Sequence, residues 1–84
     1  MATFHWSRGD EEGGMGEDED FALFAAARWS TLYRLAYLLT GSRPAAEDLL
    51  QVSLETVYVK WSRVRRMEAP DAYVRKVMVN AAVA

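Results

Sequence analysis

Apolar residues recur every three or four positions through most of the chain, and no segment alternates between apolar and polar at every second position. Spacing of three to four gathers apolar side chains on one face of a helix, whereas a half-buried strand needs a period of two. The sequence therefore predicts an all-α fold. Short connections favour a compact bundle of three main helices, at about residues 18–40, 43–61 and 70–83.

Local signals predict where these helices begin and end. The acidic residues 17–20 lie where a helix dipole favours negative charge. Gly41 is a stop signal, and Pro44 and Pro70 suit the first turns of the second and third helices. Residues 62–69 lack helical periodicity, so we expect a basic loop there with room for one helical turn.

Size and composition exclude several classes of protein. A chain of 84 residues allows one domain. It has no cysteine and a single histidine, His5, which argues against disulfide scaffolds, thiolate metal sites and histidine-based triads. No run approaches the roughly 18 apolar residues of a membrane span, and the acidic, glycine-rich start is unlike a secretory signal. We expect a cytoplasmic protein without a metal or other cofactor.

Charge is distributed unevenly along the chain. Residues 1–20 carry a net charge of −6, and the remainder carries +4. Residues 1–17 are too polar and glycine-rich to bury a core, so we predict a flexible acidic tail there, followed by one domain over 18–84. Met15 is an alternative start for the chain. The basic body is suited to a polyanionic partner.

The second predicted helix carries a polar stripe beside its apolar one. At about 100° per residue, Asp48, Gln51, Glu55 and Tyr58 share this stripe. Two interpretations stay open: an ordinary solvated face, or a docking surface for a basic helical partner. Glu47 and Asp48 are neighbours that splay about 100° apart, so they are not a facing acid–base pair. No nucleophile or phosphate-loop motif is present, and we do not expect an enzyme.

A cluster of cations follows the second helix. It comprises Arg63, Arg65, Arg66, Arg75 and Lys76. A solvated basic face is one interpretation. Nucleic-acid binding is the other, because arginine pairs with phosphate and the nearby Tyr73 and Asn80 could contact a base.

Four aromatic residues have the spacing of core positions. They are Trp29, Tyr33, Tyr37 and Trp61. Stacking on bases is conceivable for such side chains, but packing in the core is the better expectation.

Taken together, two stretches resemble a known family. LYRLAYLLTGSRPAAEDLLQVSLETVYVKWSRV and APDAYVRKVMVN are similar to domain two of extracytoplasmic-function (ECF) sigma factors, in particular those of actinobacteria. The resemblance covers about residues 18–80 and implies a helical bundle.

The resemblance implies two surfaces. In the family, the second main helix docks on the clamp helices of the β′ subunit of RNA polymerase, which maps here to Glu47, Asp48, Gln51, Leu54, Glu55 and Tyr58. The following loop and last helix capture the non-template strand of the promoter −10 element, hold a flipped base and promote melting. That role maps to Arg63, Arg65, Arg66, Tyr73, Arg75, Lys76 and Asn80, with Asn80 expected at a base edge.

The end of the sequence departs from the family pattern. Family members continue into more aromatic and basic residues and then a second DNA-binding domain, whereas this sequence ends at Ala81–Ala84. We therefore expect a chain truncated before that second domain. The alternative functions are a protein-binding module without promoter function, which binds the polymerase clamp or an anti-sigma factor, and a generic helical adaptor.

Overall fold

The computed structural model describes residues 15–84, which form four helices and no strand. These are α1 (Met15–Thr40), α2 (Arg43–Val59), α3 (Trp61–Val64) and α4 (Pro70–Val83). The all-α prediction with three main helices is confirmed. Residues 1–14, most of the predicted tail, lie outside the described part of the chain. Residues 15–17, predicted as part of the tail, belong to α1 instead.

The turn between α1 and α2 follows from three residues, Gly41, Ser42 and Pro44. Gly41 has a φ of 87°, a left-handed conformation that glycine adopts without a steric penalty. Ser42 then caps α2, because its Oγ accepts a hydrogen bond from the Ala45 amide at 3.3 Å. Pro44 lies in the first turn, where its missing N–H costs nothing. The predicted boundary between these helices is confirmed.

The boundary between α2 and α3 differs from the prediction. The second helix ends at Val59 and a separate four-residue helix begins at Trp61, with Lys60 in a non-helical conformation between them. Trp61 is nevertheless buried, so it continues the apolar stripe across the break. The stripe alone could not reveal this break, because both helices face the same core.

The core lies where α1, α2 and α4 meet. Its largest fully buried side chains include Phe21 from α1, Leu50 and Val57 from α2, and Met78 from α4. Burying a side chain of this size contributes about 1.5–3 kcal/mol. Phe21 packs edge-on against Trp61 with ring centroids 5.3 Å apart, which joins α3 to α1. This core fixes the outer face of α2 and the chain that follows it relative to α1.

Candidate functional site

The outward side of α2 carries the predicted polar stripe. Glu47, Asp48 and Glu55 are exposed, and Gln51 and Tyr58 are half-buried. These five residues are called the α2 ridge. Within residues 15–84, none of the three carboxylates makes an ion pair. The ridge therefore presents uncompensated negative charge on a helix whose other side is anchored in the core.

Leu54, which the resemblance placed among the polymerase contacts, is not on this surface. Its side chain is 3% exposed and belongs to the core. It follows Leu50 by four residues and precedes Val57 by three, so helical geometry puts all three on the buried stripe. In this structure Leu54 belongs to the core and offers a partner almost no surface, so the prediction of a polymerase contact at Leu54 does not agree with its burial.

Val52 is a surface residue that sequence reasoning missed. It is 51% exposed and lies between Asp48 and Glu55 at helical spacing, and Val59 continues the same stripe outside the core. Its signal was available, because it follows Asp48 by four residues. Val52 and Val59 add apolar area to a charged surface, a combination typical of protein interfaces.

Tyr58 links the α2 ridge to the start of α1. Its hydroxyl donates a hydrogen bond to Asp18 Oδ1 at 2.8 Å. Its ring packs edge-on against Phe21, with centroids 5.1 Å apart. These contacts hold Tyr58 in place at one end of the ridge.

The predicted DNA-binding residues occupy two segments. Arg63, Arg65 and Arg66 lie in α3 and the turn after it, and Tyr73, Arg75, Lys76 and Asn80 lie on α4. These seven residues are called the basic surface. All are exposed except Tyr73, which is half-buried against the core.

The structure brings some of these residues together and leaves others apart. Arg65 and Arg66 line one groove, with Phe24 and Arg28 of α1 on its other side. Arg75 lines a smaller neighbouring cavity, which also includes Arg28. By helical spacing, Lys76 and Asn80 lie beside Tyr73. These three residues and Arg75 lie on opposite sides of the buried stripe of α4. The basic surface therefore consists of several separate patches on α3, the turn after it and α4.

Arg65 already has acidic partners inside the chain. Its guanidinium donates to Asp20 Oδ2 at 2.5 Å and lies 3.6 Å from Glu17 Oε2. Both carboxylates are about half exposed, and ion pairs of this kind contribute about 0–1 kcal/mol each. A polyanion could displace them at little cost. The acidic start of α1 thus forms ion pairs with one cation of the basic surface, Arg65.

Arg28 is the second functional candidate that sequence reasoning missed. Its Nε donates to Asp71 Oδ1 at 2.6 Å, and its Nη1 donates to the carbonyl oxygen of Phe24 at 3.2 Å. Its guanidinium also lies over the Phe24 ring, 4.1 Å from the centroid. Because Asp71 is far away in sequence, spacing gave no signal for this contact. It fastens α1 to the start of α4 and places a cation between the two cavities.

Two aromatic residues expected in the core lie at the surface. Trp29 is 47% exposed and Tyr37 is 44% exposed, so that expectation is wrong for both, whereas Trp61 is buried as predicted. Tyr33 is half-buried and stacks on Tyr37, with centroids 6.4 Å apart. Successive residues at a spacing of four are offset by about 40° around the helix axis, so a row at this spacing winds away from the core.

The chemistry available to these surfaces is ionic, hydrogen-bonding and apolar. Among the described residues, no three acidic or histidine side chains are grouped so as to hold a metal ion. None of the helices described is long and apolar enough to cross a membrane. An acidic ridge and basic patches on one small helical bundle are suited to contacts with macromolecules of opposite charge.

Comparison with known proteins identifies the family. Residues 27–84 match Sigma-70 region 2, and the chain belongs to this family. Over 66 residues it is 36% identical to the RNA polymerase sigma-E factor of Streptomyces coelicolor. The matched segment makes up 79% of this chain and 37% of that protein. Over 65 residues it is 35% identical to the sigma-E factor of Streptomyces avermitilis, covering 77% of this chain and 36% of that protein.

The resemblance to a sigma-factor domain is thereby confirmed. The chain spans little more than a third of the length of these relatives. No solved structure matches the chain.

Proposed function

We propose that this chain acts in transcription initiation by docking on the RNA polymerase core, at the clamp helices of the β′ subunit, and by recognising and melting the promoter −10 element. The α2 ridge binds the polymerase, and the basic surface binds the non-template DNA strand. In this role the chain works in the cytoplasm, at the nucleoid. Membership of the Sigma-70 region 2 family supports the proposal.

One observation carries the docking half of the proposal. The carboxylates Glu47, Asp48 and Glu55 are exposed and have no ion pair within residues 15–84. Like charges kept together and unpaired attract a partner of opposite charge and guide its approach. Because the core already holds α2 in place, the backbone that carries these side chains loses little conformational freedom on binding. Gln51 adds an amide that can both donate and accept hydrogen bonds at the centre of the ridge.

The docking experiment measures the affinity of core RNA polymerase from Streptomyces, the genus of the relatives, for the labelled chain. Gln51→Ala should weaken binding about tenfold or more, the size of effect found for central contacts in interfaces. Glu55→Gln should weaken it less and make it less sensitive to salt. Glu68→Gln is the matched control, because Glu68 is exposed and lies away from α2.

Outcomes of this experiment separate docking from folding. Unchanged circular dichroism and unchanged thermal melting would attribute a loss of affinity to the ridge. Equal affinities for the wild type, Gln51→Ala and Glu55→Gln would contradict the docking half of the proposal.

The DNA half depends on an exchange of partners at Arg65. Phosphate has to replace Asp20 and Glu17 there, whereas Arg66 is exposed and has no ion pair among the described residues. Each phosphate contact releases counterions, so the logarithm of the binding constant should fall linearly with the logarithm of the salt concentration. Arg66→Ala should reduce that slope for a single-stranded oligonucleotide by about 0.7, the value for one phosphate contact on a single strand.

The DNA experiment has its own control. Arg43→Ala removes an exposed cation at the start of α2, on a different part of the bundle. It should leave the salt slope unchanged. A wild-type chain whose affinity for the oligonucleotide does not depend on salt would contradict the DNA role.

The second candidate function is a protein-binding module without promoter activity, which binds the polymerase clamp or an anti-sigma factor. The internal pairing of Arg65 with Asp20 and Glu17 favours it, because one cation of the basic surface is already neutralised while the α2 ridge is not. Binding of core polymerase together with no affinity for single-stranded DNA would support this alternative.

A further inference from the structure

The start of α1 contacts both of the surfaces described above. Asp18 accepts a hydrogen bond from the Tyr58 hydroxyl, at one end of the α2 ridge. Two further carboxylates, those of Glu17 and Asp20, form ion pairs with Arg65 on the basic surface. The three acidic residues lie within about one turn of helix. The proposed function gives this turn no role of its own.

Residues 16–20 lie outside the core. Asp18 is half-buried and the other four are exposed, whereas the next residue, Phe21, is fully buried. The first amides of a helix have no carbonyl partner within it, and the ends of helices open at little cost in free energy. The side-chain contacts of Glu17, Asp18 and Asp20 therefore decide how firmly this part of α1 is held.

The charges make this part of α1 depend on Arg65. Glu17 and Asp20 are three positions apart, so they lie on the same side of the helix and repel each other. Arg65 contacts both carboxylates and offsets that repulsion. A phosphate group that takes Arg65 leaves two unpaired carboxylates side by side, which destabilises the first turns of α1.

The side chain of Asp20 also obstructs the groove beside Arg65. It lines this groove together with Arg28, Arg65 and Arg66, and among the residues described it is the one acidic side chain in the lining. Its negative charge repels a phosphate group that approaches the arginines. Movement of Asp20 away from the groove would leave the arginines accessible to DNA.

We propose that residues 16–20 form an autoinhibitory clasp on the basic surface. In the closed state Arg65 and Tyr58 hold the clasp, and its carboxylates compete with DNA phosphate for Arg65. Binding of a single DNA strand takes Arg65, and the clasp opens while Phe21 stays in the core. This inference rests on the DNA half of the proposed function, to which it adds an internal competitor.

Tyr58 provides a test that separates the clasp from a simple effect of charge. Tyr58→Phe changes no charge but removes the hydrogen bond to Asp18. The clasp should then open more readily, and single-stranded DNA should bind about twofold to fivefold more tightly at low salt. Fluorescence anisotropy of a labelled oligonucleotide with the 84-residue chain measures the change. Tyr37→Phe is the matched control, because Tyr37 lies on α1 outside the clasp, and it should leave affinity unchanged.

A second background tests whether the gain from Tyr58→Phe acts through Arg65. In Arg65→Ala the clasp has no cation to cover, so Tyr58→Phe should bring no further gain. A gain that persists in Arg65→Ala would overturn the proposal. Equal affinities of the wild type and Tyr58→Phe would also overturn it, and would leave the DNA half of the proposed function in place.

Amide hydrogen exchange, followed by NMR, measures the opening itself. In an α-helix the amides of residues 20–22 donate to the carbonyls of residues 16–18, so their exchange rates report on the clasp. A saturating oligonucleotide should accelerate exchange at these amides in the wild type. Unchanged or slower exchange would mean that DNA binds without opening the clasp, and would overturn the proposal.

Exchange without DNA keeps the test independent of the proposed function. Arg65→Ala should accelerate exchange at the amides of residues 20–22, because it removes the partner of Glu17 and Asp20. Arg66→Ala is the control and should not, since Arg66 makes no ion pair among the residues described. Equal exchange in the two variants would overturn the clasp, whereas a wild type that binds no single-stranded DNA would contradict the DNA function itself.

Discussion

The carboxylates of the α2 ridge face solvent without ion pairs inside the described chain, whereas Arg65 of the basic surface already contacts two carboxylates of α1. The supports of the two surfaces also differ. The ridge lies on a 17-residue helix backed by the core, and Arg65 follows a helix of only four residues. The α2 ridge is ready to bind, whereas the basic surface must first give up internal partners at Arg65.

This difference predicts an order of strength. Binding through the α2 ridge gains new charge pairs without breaking old ones. Binding of phosphate at Arg65 exchanges one ion pair for another, so its net gain is smaller. We therefore expect polymerase docking to be the stronger activity of this chain and DNA binding the weaker one.

The largest expected effect separates the surface of α2 from its buried side. Leu54→Ala should lower the free energy of unfolding by about 2–5 kcal/mol, because it leaves a cavity in the core of a small domain. Val52→Ala removes a comparable apolar side chain from the surface and should change stability by less than about 0.5 kcal/mol. Urea denaturation followed by circular dichroism measures both. Similar losses for the two variants would mean that α2 is packed differently.

A smaller effect tests how firmly the end of the ridge is held. Tyr58→Phe removes the hydrogen bond to Asp18 but keeps the ring, and should cost about 0.5–1.5 kcal/mol of stability. Tyr37→Phe is the matched control, because no hydrogen bond of the Tyr37 hydroxyl is found within residues 15–84. Equal melting temperatures for the two variants would contradict a fixed Tyr58.

The smallest effect concerns the internal partners of Arg65. The double substitution Glu17→Gln and Asp20→Asn should strengthen binding of single-stranded DNA at low salt by up to about fivefold, the equivalent of one exposed ion pair. Fluorescence anisotropy with a labelled oligonucleotide measures the change. The gain should disappear in an Arg65→Ala background, because the substituted residues then have no cation to release.

A matched pair of substitutions controls for net charge. Glu19→Gln together with Glu68→Gln removes the same two negative charges, and neither residue forms an ion pair within the described chain. An equal gain from this pair would show that overall charge, and not the contact at Arg65, sets DNA affinity.

The parts of the fold that local sequence signals govern were predictable. The apolar period placed the three main helices, and Gly41 and Pro44 marked the turn between the first two. The same period predicted Trp29 and Tyr37 in the core, but both are exposed. A periodic pattern does not show how much of a long helix the neighbouring helices will cover.

The candidate site was predictable only where its residues lie on one helix. The acidic and amide positions of the α2 ridge follow from spacing along one helix. The resemblance implies a polymerase contact at Leu54, whereas the spacing of Leu54 matches the buried stripe on which the structure places it. The contacts of Arg28 with Asp71 and of Arg65 with Asp20 join residues more than 40 positions apart, so only the folded chain brings them together.

The most direct test of the account is a cross-link from Val52, which is exposed between Asp48 and Glu55, beside the α2 ridge. The chain has no cysteine, so Val52→Cys provides a single site for a photoreactive label. After irradiation with core RNA polymerase, the account predicts an adduct with the β′ subunit, and none from the same label at Glu68→Cys. An adduct with another subunit from Val52→Cys, or equal adducts from both positions, would contradict it.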